Sequence, residues 1–211
     1  MIEVKNLFFS RSDHHIFSDF TFELCPEELV LLTGANGAGK STLIQLIGGI
    51  LRPKSGEILI DNQDISRLSS KQQSELRSIA PQRRNFSLAF TVKDVINFVP
   101  NGRRVDYIEF ILHTLELNDL LLRKITELSI GQQERVSLAL ALHQKSSYYL
   151  LDEPFSAQDS HATENILTVI DFLKNNKKGV LVISHNQDAL IKNCDRQVTL
   201  AFPYVDPQAF S

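Results

Sequence analysis

Apolar and polar positions follow two periods along this chain. Ile2, Val4 and Leu7, and then Phe20, Phe22 and Leu24, alternate with polar residues, which predicts half-buried strands over residues 1–30. Leu29-Val30-Leu31-Leu32-Thr33 is a continuous apolar run ending in glycines, the pattern of a strand buried on both faces. Ser41–Ile50 predicts a helix, Glu57–Ile60 with Asp61-Asn62 a hairpin strand and its turn, and residues 70–80 another helix. From about 86 to 125 the period is helical, with apolar Val92, Val95, Ile96, Ile108, Ile111, Leu112 and Leu115. Residues 132–144 predict a helix, Tyr148–Leu151 and Val180–Ser184 two more buried strands, and 160–174 a helix between those strands. This alternation predicts an α/β fold with a mainly parallel sheet, an N-terminal antiparallel β subdomain and an α-helical subdomain inserted at about 86–130, in one domain spanning 1–211.

The glycines after the third predicted strand carry the first chemical signal. Gly34-Ala35-Asn36-Gly37-Ala38-Gly39-Lys40-Ser41-Thr42 fits G-x-x-x-x-G-K-[ST] between a strand and a helix. Glycines let the backbone curl so that successive N–H groups face one centre and bind phosphate oxygens. The helix N-terminus adds a favourable dipole. Lys40 supplies a point charge for the β- and γ-phosphates, Ser41 a hydroxyl for Mg2+, and Thr42 support on the α-phosphate side. Downstream, the buried strand Tyr148–Leu151 delivers Asp152 and Glu153 at its end. Asp152 is placed to hold magnesium, and Glu153 to act as general base on the attacking water. Together the two segments predict a P-loop NTPase core that binds ATP with Mg2+ and hydrolyses it.

Four further segments narrow the class. Leu128-Ser129-Ile130-Gly131-Gln132, just before a predicted helix, is similar to the LSGGQ signature of ABC-transporter ATPases. Gln82 matches that family's Q-loop glutamine, Ser156-Ala157-Gln158-Asp159 its D-loop, and His185 its switch histidine. The resemblance covers nearly the whole chain. It implies a head-to-tail homodimer or paired ABC subunit, with two ATP molecules sandwiched between the phosphate loop of one subunit and Ser129, Gly131 and Gln132 of the other. It also implies that Gln82 reaches magnesium or the lytic water, and that His185 bonds the γ-phosphate and orients the water with Glu153.

Three positions depart from the family pattern. Ile130 stands for the first glycine of the signature and adds bulk beside the anion site. Gln158 stands where the D-loop usually has leucine. The tyrosine that often stacks on adenine is missing, and its place falls on Arg11, whose planar guanidinium can stack on a base. His14, His15 and Phe17 are the alternatives. Without an aromatic platform, use of GTP is expected.

Composition adds mostly exclusions. A net charge of −3, with basic pairs scattered along the chain, gives no sign of a nucleic-acid partner. Two cysteines do not make a disulfide framework and suit a reducing compartment. The N-terminus does not read as a secretory signal, and no run of 18 apolar residues occurs. The family resemblance implies an integral membrane transporter subunit as partner, so the expected location is the cytoplasm, peripheral on the inner face of the membrane. The stretch Pro81–Ile96, including Arg83, Arg84, Phe86, Leu88 and Phe90, looks like the subgroup that powers bacterial uptake of metal chelates, haem and cobalamin. Compact zinc/manganese-type importers and the haem-export subunit of cytochrome c maturation are also similar. A soluble non-transport ABC ATPase is the reading from another class, and the long coiled-coil insertion or paired ATPase halves that would support it are not seen in this sequence.

Overall fold

The computed structural model describes residues 1–12, 14–82, 90–99, 105–184 and 188–201. The chain opens with β1 (Ile2–Arg11) and β2 (His14–Leu24), an antiparallel pair, followed by β3 (Leu29–Gly34) and α1 (Lys40–Ile47). Next come β4 (Ser55–Ile60), β5 (Gln63–Asp64), α2 (Ser70–Leu76) and β6 (Arg77–Ala80). Helices α3 (Val92–Asn97), α4 (Val105–Thr114) and α5 (Ile130–His143) precede β7 (Tyr148–Asp152). The remainder is α6 (Ser160–Asn175), β8 (Gly179–Ile183), α7 (Asp188–Ile191) and β9 (Arg196–Leu200).

The described residues form two sheets. One is four-stranded and antiparallel, in the order β2-β1-β4-β5. The other is five-stranded and parallel, in the order β6-β7-β8-β3-β9. The α/β architecture expected from the sequence is the one observed. Every residue of β7 and β8 is buried, and alternate residues face two different cores, as a sheet covered on both faces requires. Leu29, Leu31, Tyr149, Leu151, Val180 and Val182 face a core shared with α3, α4, α5 and α6. Val30, Leu32, Tyr148, Leu150, Leu181 and Ile183 face the other, shared with α1 and the antiparallel sheet.

The structure departs from the sequence expectations in three places. The helix expected over 70–80 ends at Leu76, because Arg77–Ala80 pairs in parallel with Tyr148–Leu151 and buries Ser78 and Ala80. Strand β9, which the apolar pattern did not suggest, pairs in parallel with β3 from Val30 to Gly34. The first helix also stops at Ile47, where Gly48 caps it. Parallel register then positions the chemistry. Leu32 and Asp152 both lie opposite Ile183, so the strand ends before the phosphate loop and at the acidic pair flank the end of β8. Two strand spacings separate them, about 9–10 Å, and ligands of open parallel sheets bind at this carboxyl edge.

Candidate functional site

Three glycines in the loop between β3 and α1 take positive φ: Gly34 at 145°, Gly37 at 83° and Gly39 at 95°. Gly39 is the position that most requires glycine. A Cβ there would stand 2.5 Å from Ile16 Cγ2 and 3.1 Å from the Phe17 ring. Gly39 is also the N-cap of α1, and no side chain caps that helix. The first N–H groups of α1 therefore remain for a ligand in the loop. The Lys40 ammonium is folded over the loop, donating to the carbonyls of Gly34 (2.7 Å) and Ala35 (3.0 Å).

At the end of β7, Asp152 is buried and hydrogen-bonds Ser41. Burial raises its pKa above that of an ordinary aspartate, while the Ser41 hydrogen bond and the Lys40 charge pull it back. Its Oδ1 is buried with no hydrogen-bond partner among the described residues. That orphaned acceptor, beside a serine hydroxyl, fits a hard cation. Among the described residues no three His, Cys, Asp or Glu side chains converge as a metal site. The donor set thus suits Mg2+ taking its remaining ligands from water and phosphate oxygens. Glu153 follows with φ of 55°, an uncommon value for a non-glycine residue. Its N–H donates to the Ile183 carbonyl at 3.0 Å, and only 9% of the residue is exposed.

One cavity of about 390 Å³ is lined by Arg11, Ile16, Asn36, Gly37, Gly39, Lys40, Ser41, Thr42, Gln82, Asp152, Glu153 and Ile183. It gathers most of the site residues that the sequence suggests, from four separate segments. Arg11 lies in it, on an exposed strand end. Phe17 is buried beneath Gly39, and the His15 ring packs on Phe8 at 5.3 Å. Of the alternatives for the base platform, neither lines the cavity, nor does exposed His14. Ile16 does, and sequence reasoning missed it because the search was for an aromatic. His185 lies outside the described residues; Ser184 just before it is buried.

The signature residues sit elsewhere. Ser129 is the N-cap of α5, in a complete capping box with Gln132: Gln132 N donates to Ser129 Oγ (3.2 Å), and Ser129 N donates to Gln132 Oε1 (3.0 Å). Ile130 is 70% exposed. Ser129, Gly131 and Gln132 do not line the phosphate-loop cavity. Gly131 packs so tightly on the D-loop that a Cβ would stand 2.7 Å from the Ala157 carbonyl oxygen.

Comparison with known proteins agrees with this geometry. The family model described as ABC transporter matches residues 17–156. The hemin import ATP-binding protein HmuV of Bordetella pertussis is 32% identical, the match covering 95% of this chain and 82% of that protein. The macrolide export ATP-binding/permease protein MacB of Vibrio parahaemolyticus is also 32% identical, over 82% of this chain and 28% of its own length. A bacterial ABC transporter cassette solved as a dimer superposes with a TM-score of 0.82 at 25% identity, covering 95% of this chain and 94% of that one.

Proposed function

The chain belongs to the ABC transporter family, whose ATP-binding domains are ATPases, and from that premise we propose that it is the ATP-binding subunit of a transporter importing a metal ion, a metal chelate or haem. The observation that carries the site assignment is one cavity in which the phosphate loop, Asp152, Glu153, Gln82 and Arg11 meet. The N–H groups of Asn36 to Thr42 and the dipole of α1 hold the phosphates. Lys40, now bonded to its own loop, turns its ammonium to the β- and γ-phosphates when they displace those carbonyls. Ser41 and Asp152 hold Mg2+, which when bound neutralises charge on the same phosphates. Gln82, exposed at the cavity mouth, orients water or meets the cation. Glu153 takes the proton from that water as its oxygen attacks the γ-phosphorus and ADP leaves. His185 helps orient the water. Arg11 stacks on the base over Ile16, and a base held by stacking alone is weakly discriminated, so GTP turnover should fall within about tenfold of ATP turnover.

Ser129, Gly131 and Gln132 act on the ATP of a second copy or a paired ABC subunit, placed head to tail. Supporting this are their absence from their own subunit's cavity and the dimeric cassette among the structural relatives. The inserted helical subdomain, at about 86–130, carries the exposed edge-to-face pair Phe90 and Phe98 (5.2 Å) and the exposed Leu122. That apolar surface suits docking to a membrane-spanning partner at the inner face of the cell membrane. Arg83, Arg84, Phe86 and Leu88 lie outside the described residues. No described helix is long and apolar enough to cross a membrane.

The likeness to HmuV supports the import reading. Export is the second reading, favoured by the equal identity to MacB. The site is tested with Glu153→Gln, which should bind ATP, turn it over roughly 10²–10³-fold more slowly and run as a dimer with ATP. Hydrolysis at the wild-type rate would refute the mechanism. Direction is tested in vesicles containing the chain and its co-purified membrane partner. ATP-driven inward movement of hemin supports import, and outward movement of the cargo supports export.

A further inference from the structure

The D-loop of this chain carries Gln158, and the amide nitrogen of its side chain is turned to acceptors of its own subunit. Gln158 Nε2 has three acceptors at 3.2 Å each: the Gly131 carbonyl, Glu134 Oε2 and the Ser156 carbonyl. Glu134 lies on α5 one turn beyond the signature. Its other oxygen, Oε1, lies 3.2 Å from Ser156 Oγ, whose one proton is shared between this carboxylate and the Glu153 carbonyl at 3.0 Å. Ser156 N also donates to that carbonyl, at 3.2 Å. These contacts run without a gap from the signature glycine through Gln158, Glu134 and Ser156 to the acid at the end of β7.

The two ends of this bridge have different ligands. Glu153 lines the cavity of its own phosphate loop. Gly131 belongs to the turn read above as meeting the partner's ATP. Glu153 also holds a left-handed backbone, which persists only while its surroundings fix it. Leucine at position 158 would donate to none of the three acceptors. The tie is therefore a property of the glutamine.

We propose that Gln158, with Glu134, is a positioning residue that couples the two ATP sites of the dimer, holding Glu153 in register with the signature turn that senses the partner's nucleotide. This rests on the head-to-tail reading. ATP settling against Gly131 moves the first turn of α5, and the bridge passes that movement to the backbone of Glu153 in the same subunit. Gln158 itself touches neither nucleotide nor water.

The test uses the full-length chain with Gln158→Leu, which keeps bulk and removes the donor, and Gln158→Lys, which restores a donor. Steady-state ATPase is measured across ATP concentrations, beside the apo melting temperature. Gln158→Leu should lower kcat roughly tenfold, with KM changed by less than about twofold, because the acid is misplaced while ground-state binding is intact. The Hill coefficient should fall from above about 1.5 to about 1, and Gln158→Lys should recover most of both. Light scattering of Glu153→Gln with ATP serves as the second arm. A dimer there, with Gln158→Leu keeping the wild-type kcat and Hill coefficient, overturns the bridge and leaves the functional reading standing. A monomer overturns the head-to-tail reading and the bridge with it. A lower melting temperature with kcat and KM changed together, unrescued by lysine, reduces Gln158 to a structural contact and also overturns it.

Discussion

Two helix N-termini that the proposed function brings to one ATP are built in opposite ways. Helix α1 begins at a left-handed glycine with no side-chain cap, so its first N–H groups are held toward the loop. Helix α5 begins with a full capping box, in which Ser129 and Gln132 already satisfy each other's backbone donors. The first is prepared for an anion in the isolated subunit. The second is complete by itself and must trade one of its own hydrogen bonds to receive one. The free N–H groups of an uncapped helix end are met by water or by a ligand, and anions suit them. On the proposed function, α1 would bind first and α5 would be engaged when a second subunit closes.

The largest effect should come from emptying the bare end. Lys40→Ala is expected to lower ATP turnover roughly 10²–10³-fold, the scale for losing one charged group aimed at a developing anion; steady-state phosphate release measures it, and near wild-type turnover would break the contrast. Next, Gly39→Ala forces a side chain into Ile16 and Phe17 at φ of 95°, and denaturant unfolding should show a loss of about 2–3 kcal/mol. Ser129→Ala sharpens the capped side. Losing the cap should cost about 1 kcal/mol in the same measurement, and a fall in turnover larger than the fraction unfolded would show that the serine also serves ATP.

The smallest expected effect is a gain. Asp152 is buried with a raised pKa, so the folded chain binds its proton more tightly than the unfolded chain. The apo protein should thus gain stability as pH falls toward that raised value, and it carries a penalty at neutral pH. Asp152→Asn should remove the penalty and raise the apo melting temperature by about 2–4 °C at neutral pH, while abolishing Mg2+-dependent hydrolysis. A drop in melting temperature would mean that the carboxylate stabilises the fold.

The bare end was legible in the sequence because its chemistry is local. A run of glycines, a lysine and a serine between a strand and a helix needs no distant partner to be recognised. The strand ending in Asp152-Glu153 was equally plain, since both faces of β7 are apolar. What sequence reasoning missed depends on long-range pairing. Arg77-Ser78-Ile79-Ala80 has little strand character, and it becomes a strand only because β7 lies beside it. Arg196–Leu200 is an edge strand whose alternation is weak and whose partner, β3, lies far upstream. The capping box of α5 was hidden by its own motif, because the same serine and glutamine that suggest nucleotide contact also satisfy the helix. Gln158 stood out only as a departure from leucine; its acceptors on α5 appear only once the D-loop is folded against that helix.

The central claim is that the bare end of one chain and the capped end of another share one ATP. The direct measurement is a cross-link between two variants, with exposed Cys25 and partly buried Cys194 first replaced by serine. Asn36→Cys chains are mixed with Ser129→Cys chains under mild oxidation. The account predicts a disulfide-linked dimer that forms in the mixture, requires ATP and is absent from either variant alone. No cross-link in the mixture with ATP, or one that forms equally without nucleotide, would contradict it.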